Sequence, residues 1–193
     1  MAIYIAYSIA RQAKQLEQVI FAGFTHTPTI ELAEKIISVL GSHFSKIFYS
    51  DNSSTAVEVG IKMALQYWHN QGITGKTKII AFDNAYHGDT FGGMSAGARS
   101  AFNAAFNPML FEVHHIPVPD EETIEAIKTQ LSVLANQGNI AASIFDPLMQ
   151  GACGTLMHRA EHLDQLIAIA KEQNILCVAD EVMTGLEQEK TFN

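Results

Sequence analysis

Lys78-Ile79-Ile80-Ala81-Phe82-Asp83-Asn84-Ala85-Tyr86-His87-Gly88-Asp89-Thr90 decides the fold. Its first five residues are a short apolar run without polar alternation, the pattern of a strand covered on both faces of a parallel sheet. The loop that follows gathers an aromatic ring, an imidazole and a glycine at one strand end. Working outward, Lys46 to Ser50, Leu110 to Ile116, Ile140 to Phe145 and Ile175 to Asp180 repeat the apolar run. Between them lie helical stretches. Ala56 to Asn70 places Val57, Ile61, Ala64, Leu65 and Trp68 on one stripe, and Glu121 to Asn136 and His162 to Gln173 behave alike. Alternating strands and helices predict an α/β fold, a doubly wound, mainly parallel sheet of about five strands.

The first 45 residues differ. Helical patterns at Ile9 to Phe21 and Thr29 to Leu40 flank a Gly23 to Pro28 turn, with Thr29 the expected N-cap after Pro28. They predict an N-terminal helical arm (1–45) on a βαβ portion (46–193), all one domain. With 193 residues, 48% of them hydrophobic, the chain can build a core without staples. Twenty acidic against 12 basic residues, a net charge of -8, argue against a nucleic-acid partner. No apolar run approaches the roughly 20 residues needed to cross a bilayer, and with no basic n-region ahead of an apolar stretch in residues 1–15 no secretion signal is expected. Two cysteines fit a reducing compartment, so the expected location is cytoplasmic.

In an open α/β sheet ligands bind beyond the carboxyl ends of the strands. Asp51-Asn52-Ser53-Ser54-Thr55 runs into a helix, and hydroxyls and free amides there suit a phosphate, although taken alone the segment reads first as a plain Ser/Thr N-cap. Tyr86 can stack on a planar ligand, with His87 beside it, although a polar loop with one packed tyrosine reads equally well. Asp146 to Gly154 is a glycine-bearing loop that lets backbone approach a ligand. Asp180 and Glu181 put carboxylates at the tip of a central strand, where a buried ion needs a cation or protonated heterocycle. His158 and His162 lack a third ligand, His114 and His115 point to opposite faces of a strand, and Cys153 has no adjacent base; no metal site is expected.

Together these segments resemble the class III aminotransferases, which use pyridoxal phosphate. The resemblance rests on Phe21 to Pro28, Ala56 to Val59, Lys62 to Trp68, Tyr86-His87-Gly88-Asp89-Thr90-Phe91-Gly92 and Ala179-Asp180-Glu181-Val182-Met183-Thr184-Gly185. It implies that Ser54, with the backbone at Ser53, holds the cofactor phosphate, that Tyr86 stacks on the pyridine ring and that Asp180 pairs with the pyridinium nitrogen. His87 and Met183 complete the implied cofactor-binding set. The look is nearest to the biotin-synthesis branch, which implies amino transfer from S-adenosylmethionine to 8-amino-7-oxononanoate, in a homodimer to which the arm contributes.

Departures from the family pattern accompany the matches. Its Schiff-base lysine comes about 30 residues beyond the aspartate, and none of the nine lysines here stands there, so no catalytic residue is assigned and this chain alone is expected not to transaminate. Ser53 stands where the family usually has Gly, Asp146 where it has Glu, Cys153 where it has Gly, and Gly185 to Lys190 replaces a basic, glycine-rich stretch. These changes keep open the alternative of a structural or engineered α/β module without cofactor binding. The family's large domain also places two further strands between the last strand here and the first. Direct pairing of Ile47 to Ser50 with Leu176 to Asp180 is therefore expected.

Overall fold

The computed structural model describes residues 2–41, 43–152 and 154–185, which fall into two compact units, 2–48 and 49–185. The first unit carries helices α1 (Ala2–Gln15) and α2 (Thr27–Leu40). Helix α1 begins and ends earlier than its periodicity predicts. The expected start at Ile9 lies inside the helix, and residues 16–21 fall beyond its end. Ile3, Tyr4, Ile5, Tyr7 and Ile9 of α1 are exposed. The N-cap of α2 is His26 rather than the expected Thr29. Proline fits the first helical turn, so the helix starts ahead of Pro28 and takes Thr29 inside, where its hydroxyl lies 2.8 Å from Nε2 of the His26 ring.

The second unit is built on a parallel sheet. Its strands are β1 (Lys78–Phe82), β2 (Val113–Ile116), β3 (Ile140–Phe145) and β6 (Leu176–Ala179), in the order β2-β1-β3-β6. Helix α3 (Ser53–Asn70) covers one face, and α5 (Ile124–Ala135) and α6 (Ala160–Glu172) cover the other. The period-two geometry of a strand explains how uniformly apolar runs serve both faces. Ile79 and Ala81 pack with Val57, Ile61 and Ala64 of α3, whereas Ile80 and Phe82 pack with Ile127, Leu131, Leu163 and Leu166. Trp68 closes the first layer by donating Nε1–H to the Ala141 carbonyl at 2.8 Å. The loop after β3 folds back as a short antiparallel pair, β4 (Met149–Gln150) with β5 (Leu156–Met157).

The doubly wound α/β class stands, but among the described residues the sheet has four strands and β6 is an edge. Residues 46–50 form no strand, and Phe48 is 65% exposed. The expected pairing with Leu176 to Asp180 is therefore corrected. An apolar run becomes a strand only where a neighbour supplies a ladder, and here the run leads instead into the cap of α3, with the Ser50 hydroxyl donating to the Asn52 carbonyl. After β1 the chain winds to one side of the sheet and after β3 to the other. The turning point between these two strands is where such sheets hold ligands. No described helix is long and apolar enough to cross a membrane.

Candidate functional site

At that turning point lies a crevice of about 370 Å³. The start of α3 forms one wall. Asn52 is the N-cap: its Oδ1 accepts from the Thr55 amide at 3.0 Å, and Thr55 Oγ1 accepts in return from the Asn52 amide at 3.2 Å. The cap is thus Asn52 and not a serine, which puts Ser53 and Ser54 at the first two helical positions. Among the described residues their amides have no backbone or side-chain acceptor, as helix geometry dictates for a first turn. Ser53 has no positive φ, so the side chain where glycine is usual creates no backbone conflict.

The loop after β1 is tied to this helix. The Asp89 amide donates to Ser54 Oγ at 3.2 Å, the Thr90 hydroxyl to the Ser54 carbonyl at 3.4 Å, and the Gly92 amide to Glu58 Oε2 at 2.7 Å. Gly88 permits the approach. It has φ +94°, and a Cβ there would sit 2.3 Å from Ser54 Oγ and 2.8 Å from Ser54 Cα. The same loop presents the Tyr86 ring, half exposed along the crevice. Partial burial, then the hydrogen bond and charge of Asp89, raise its phenol above the ordinary range.

At the floor, His87 is 2% exposed and Asp180 is 9% exposed. His87 Nδ1 donates to Asp180 Oδ2 at 2.8 Å, while Asp180 Oδ1 accepts from the Val182 amide at 3.2 Å. Asp180 therefore keeps both oxygens hydrogen-bonded. Asp146, after β3, has a sealed Oδ2 with no partner among the described residues, as does Nε2 of His87. Donor atoms of His87, Asp146 and Asp180 lie within 4.8 Å of one another. Burial first, with the negative charge of Asp180 adding and His87 opposing, pushes the Asp146 carboxyl up to about 6. Met183 lines the remaining side, against Gly151.

All six residues singled out in the sequence, Ser53, Ser54, Tyr86, His87, Asp180 and Met183, line this one crevice. Asp146 and Gln150, whose Nε2 donates to the Asp83 carbonyl at 2.9 Å, also line it; they belong to the Asp146 to Gly154 loop singled out for its approach to a ligand, but their side chains were outside the expected cofactor-binding set. The signal was available for Asp146, since parallel β1, β3 and β6 bring the loops at their carboxyl ends together. The other histidines serve elsewhere: His158 Nε2 donates to the Asp146 carbonyl at 2.9 Å, and His115 Nε2 to the Ala96 carbonyl at 3.0 Å. Cys153 and residues 186–193 lie outside the described residues. A wider cavity of about 850 Å³ shares Tyr86, His87, Gly88 and Ala152 with the crevice and is walled by Phe91, Met94, Phe102 and Phe106.

A doubly wound sheet whose turning point offers unpaired helix-start amides, an aromatic face and a buried carboxylate is the architecture of an α/β protein suited to a phosphorylated, cationic ring. More narrowly, the chain belongs to the class III aminotransferases, whose family model, Aminotransferase class-III, matches residues 4–189. Members of this family depend on pyridoxal phosphate. The adenosylmethionine-8-amino-7-oxononanoate aminotransferase of Synechococcus elongatus is 49% identical over 189 residues, covering 94% of this chain and 44% of that protein. The Staphylococcus aureus protein of the same name is 34% identical, covering 94% and 43%. Among solved structures, the enzyme of that name from Methanocaldococcus jannaschii aligns with TM-score 0.85 at 31% identity, over 93% of this chain and 41% of that one. A PLP-bound amine transaminase from an uncultivated Pseudomonas species aligns with TM-score 0.86 at 28% identity, over 93% and 44%. The chain thus spans less than half the length of these relatives.

Proposed function

We propose that these residues are the cofactor-seating part of an aminotransferase of the biotin-synthesis type, which moves an amino group from S-adenosylmethionine to 8-amino-7-oxononanoate. The observation that carries this reading is the convergence of the Ser53 and Ser54 amides, the Tyr86 ring and the buried Asp180 on one crevice. The residues fit the group. Two unpaired amides at a helix start match a phosphate, a half-exposed ring matches a flat heterocycle, and two buried carboxylates against one imidazole leave room for a positive charge. Bound pyridoxal phosphate supplies an electron-accepting ring that lets the substrate's α-carbon lose a proton.

The chain's own side chains bind and orient. Asp180, fixed by His87 and the Val182 amide, would present negative charge to the ring nitrogen. The Tyr86 face would hold the ring, and Met183 and Gly151 would border it. The apolar wall of Phe91, Met94 and Phe106 suits the alkyl chain of the keto substrate. Among the described residues no lysine lines the crevice. We therefore propose that these 193 residues seat the cofactor without completing the reaction. Of the three features that favour the module reading without cofactor, Ser53 stands in the first turn of α3 with no positive φ, while Cys153 and residues 186–190 of the tail lie outside the described residues. A cytoplasmic location and a homodimer, the latter favoured by the exposed apolar side chains of α1, belong to the same proposal.

Titration with pyridoxal phosphate, followed by circular dichroism of the cofactor band, tests the reading. Saturable one-to-one binding that Tyr86→Ala weakens supports it, and so does the absence of diamine product above a cofactor-only control. No saturable signal, or turnover by the purified chain, overturns the respective part.

A further inference from the structure

Of the two carboxylates in the crevice, Asp180 and Asp146, only the first is fully hydrogen-bonded. Asp180 holds the His87 ring on one oxygen and the Val182 amide on the other. Among the described residues, Asp146 has a solvent-sealed Oδ2 without a partner. When two close acids differ this way, the satisfied one keeps its charge and the other keeps a proton. The count of charges points the same way. Two carboxylates stand against a single imidazole in a confined space, so negative charge is in excess when both acids are ionised, and a ring bearing one positive charge lowers that excess.

We propose that Asp146 is the crevice's proton-exchange residue: it holds a proton while the crevice lacks a cationic ring and releases it to solvent when such a ring docks against Asp180. The step breaks the Asp146 O–H bond, leaves the electron pair on the carboxylate and hands the proton to buffer. Asp146 does not touch the reacting atoms; it is a positioning residue that sets the charge met by the ring. This inference rests on the reading of the crevice as a pyridoxal-phosphate seat and concerns a residue that the resemblance leaves outside the cofactor-binding set.

The surroundings of Asp146 leave few rivals. The lining residues that titrate are Tyr86 and His87 from the loop after β1, Asp146 itself after β3, and Asp180 after β6. Helix α3 contributes Ser53, Ser54 and Val57, none of which titrates. His158, ahead of α6, meets Asp146 only at its backbone carbonyl. The charges acting on the carboxyl are those of His87 and Asp180, and its rise to about 6 puts the exchange within reach of ordinary buffers.

The test uses the 193-residue chain and pyridoxamine 5′-phosphate, which lacks the aldehyde that would react with surface lysines. Calorimetric titrations at pH 5, 6, 7 and 8, each in two buffers of different ionisation heat, count protons released on binding. The phosphate of the probe titrates too, so the reading is the difference between the wild type and Asp146→Asn. The wild type should release about half a proton more than the variant at pH 6 and about a tenth more at pH 7. From pH 5 to 7 its affinity should rise about tenfold more than the variant's. Asp146→Glu, which keeps an ionisable group, should retain the release. Equal proton counts in wild type and Asp146→Asn at pH 6, or loss of the release in the Glu variant, overturn the exchange while leaving the seat intact. No binding by any of the three proteins at any pH overturns the seat itself and the exchange with it.

Discussion

Replacing Gly88 by alanine is the sharpest perturbation the structure offers, because one methyl group meets two obstacles. Gly88 has φ +94°, a conformation that costs a residue with Cβ about 1–2 kcal/mol. The new Cβ would also lie 2.7 Å from Ser54 Cβ and 2.8 Å from Ser54 Cα, so the backbone of the first turn of α3 must move. Forcing a group into packed surroundings costs about 1–3 kcal/mol more. The total is about 2–5 kcal/mol. Gly138→Ala is the control: Gly138 has φ +72° and open space around it, so only the backbone cost applies, partly offset by about 0.4–1 kcal/mol from a stiffer unfolded chain. Urea denaturation of both variants isolates the contact with Ser54. The backbone cost and the unfolded-chain offset are common to both variants, so Gly88→Ala should be less stable than Gly138→Ala by the packing cost, about 1–3 kcal/mol, or about 2–12 °C in thermal midpoint. It should also bind pyridoxamine 5′-phosphate at least about tenfold more weakly, since one displaced hydrogen bond to a charged group is worth about 1.5–3 kcal/mol. Gly138→Ala should bind as the wild type does. Equal stabilities of the two variants, with unchanged affinity in both, would refute the tight packing of the Tyr86 loop against α3.

Three further outcomes follow from the same geometry. Asp180→Asn should weaken pyridoxamine 5′-phosphate binding about a hundredfold, through loss of a buried charge-assisted contact worth about 3 kcal/mol, as read by equilibrium titration. Asp146→Asn should stabilise the chain at pH 7 by up to about 3 kcal/mol. Its carboxyl is raised from 3.8 to about 6, so the fold loses stability as pH rises between those values while the unfolded chain ionises first; the penalty is absent below 3.8 and full above about 6. Denaturation at pH 3.5 should accordingly show little difference between this variant and the wild type, and at pH 7 the largest. Asn52→Ala should remove the cap of α3 at a cost of about 1 kcal/mol, and the hydrogen exchange of the first-turn amides should quicken.

Strands β1 and β3 were legible to the residue because both of their faces are covered, which writes an unbroken apolar run into the sequence. Strand β2 was only partly so. Leu110 to Glu112 look like strand, yet the Phe111 amide is spent on Ser95 Oγ at 3.1 Å, and Lys78 holds Glu112. Residues 46–50 misled for a related reason: composition records that a segment can pair, not that a neighbour is present to pair with it. In the crevice, Tyr86, His87 and Asp180 were visible as residues at strand ends. The hydrogen bond between His87 and Asp180 was not, since it joins positions 93 apart in the chain. Asp146 stood in plain view at the end of β3, but its importance comes from burial and from the neighbouring charges, which only the assembled sheet creates. The cap of α3 was ambiguous because Asn52, Ser53 and Ser54 can each cap a helix, and the choice among them sets which amides remain open.

The most direct measurement is a crystal structure of the chain soaked with pyridoxamine 5′-phosphate. The ring should lie on Tyr86 with its nitrogen about 2.7–2.9 Å from an Asp180 carboxylate oxygen and its phosphate on the amides of Ser53 and Ser54. Ligand density on any other surface, or a ring turned so that its nitrogen faces away from Asp180, would contradict the assignment of the crevice.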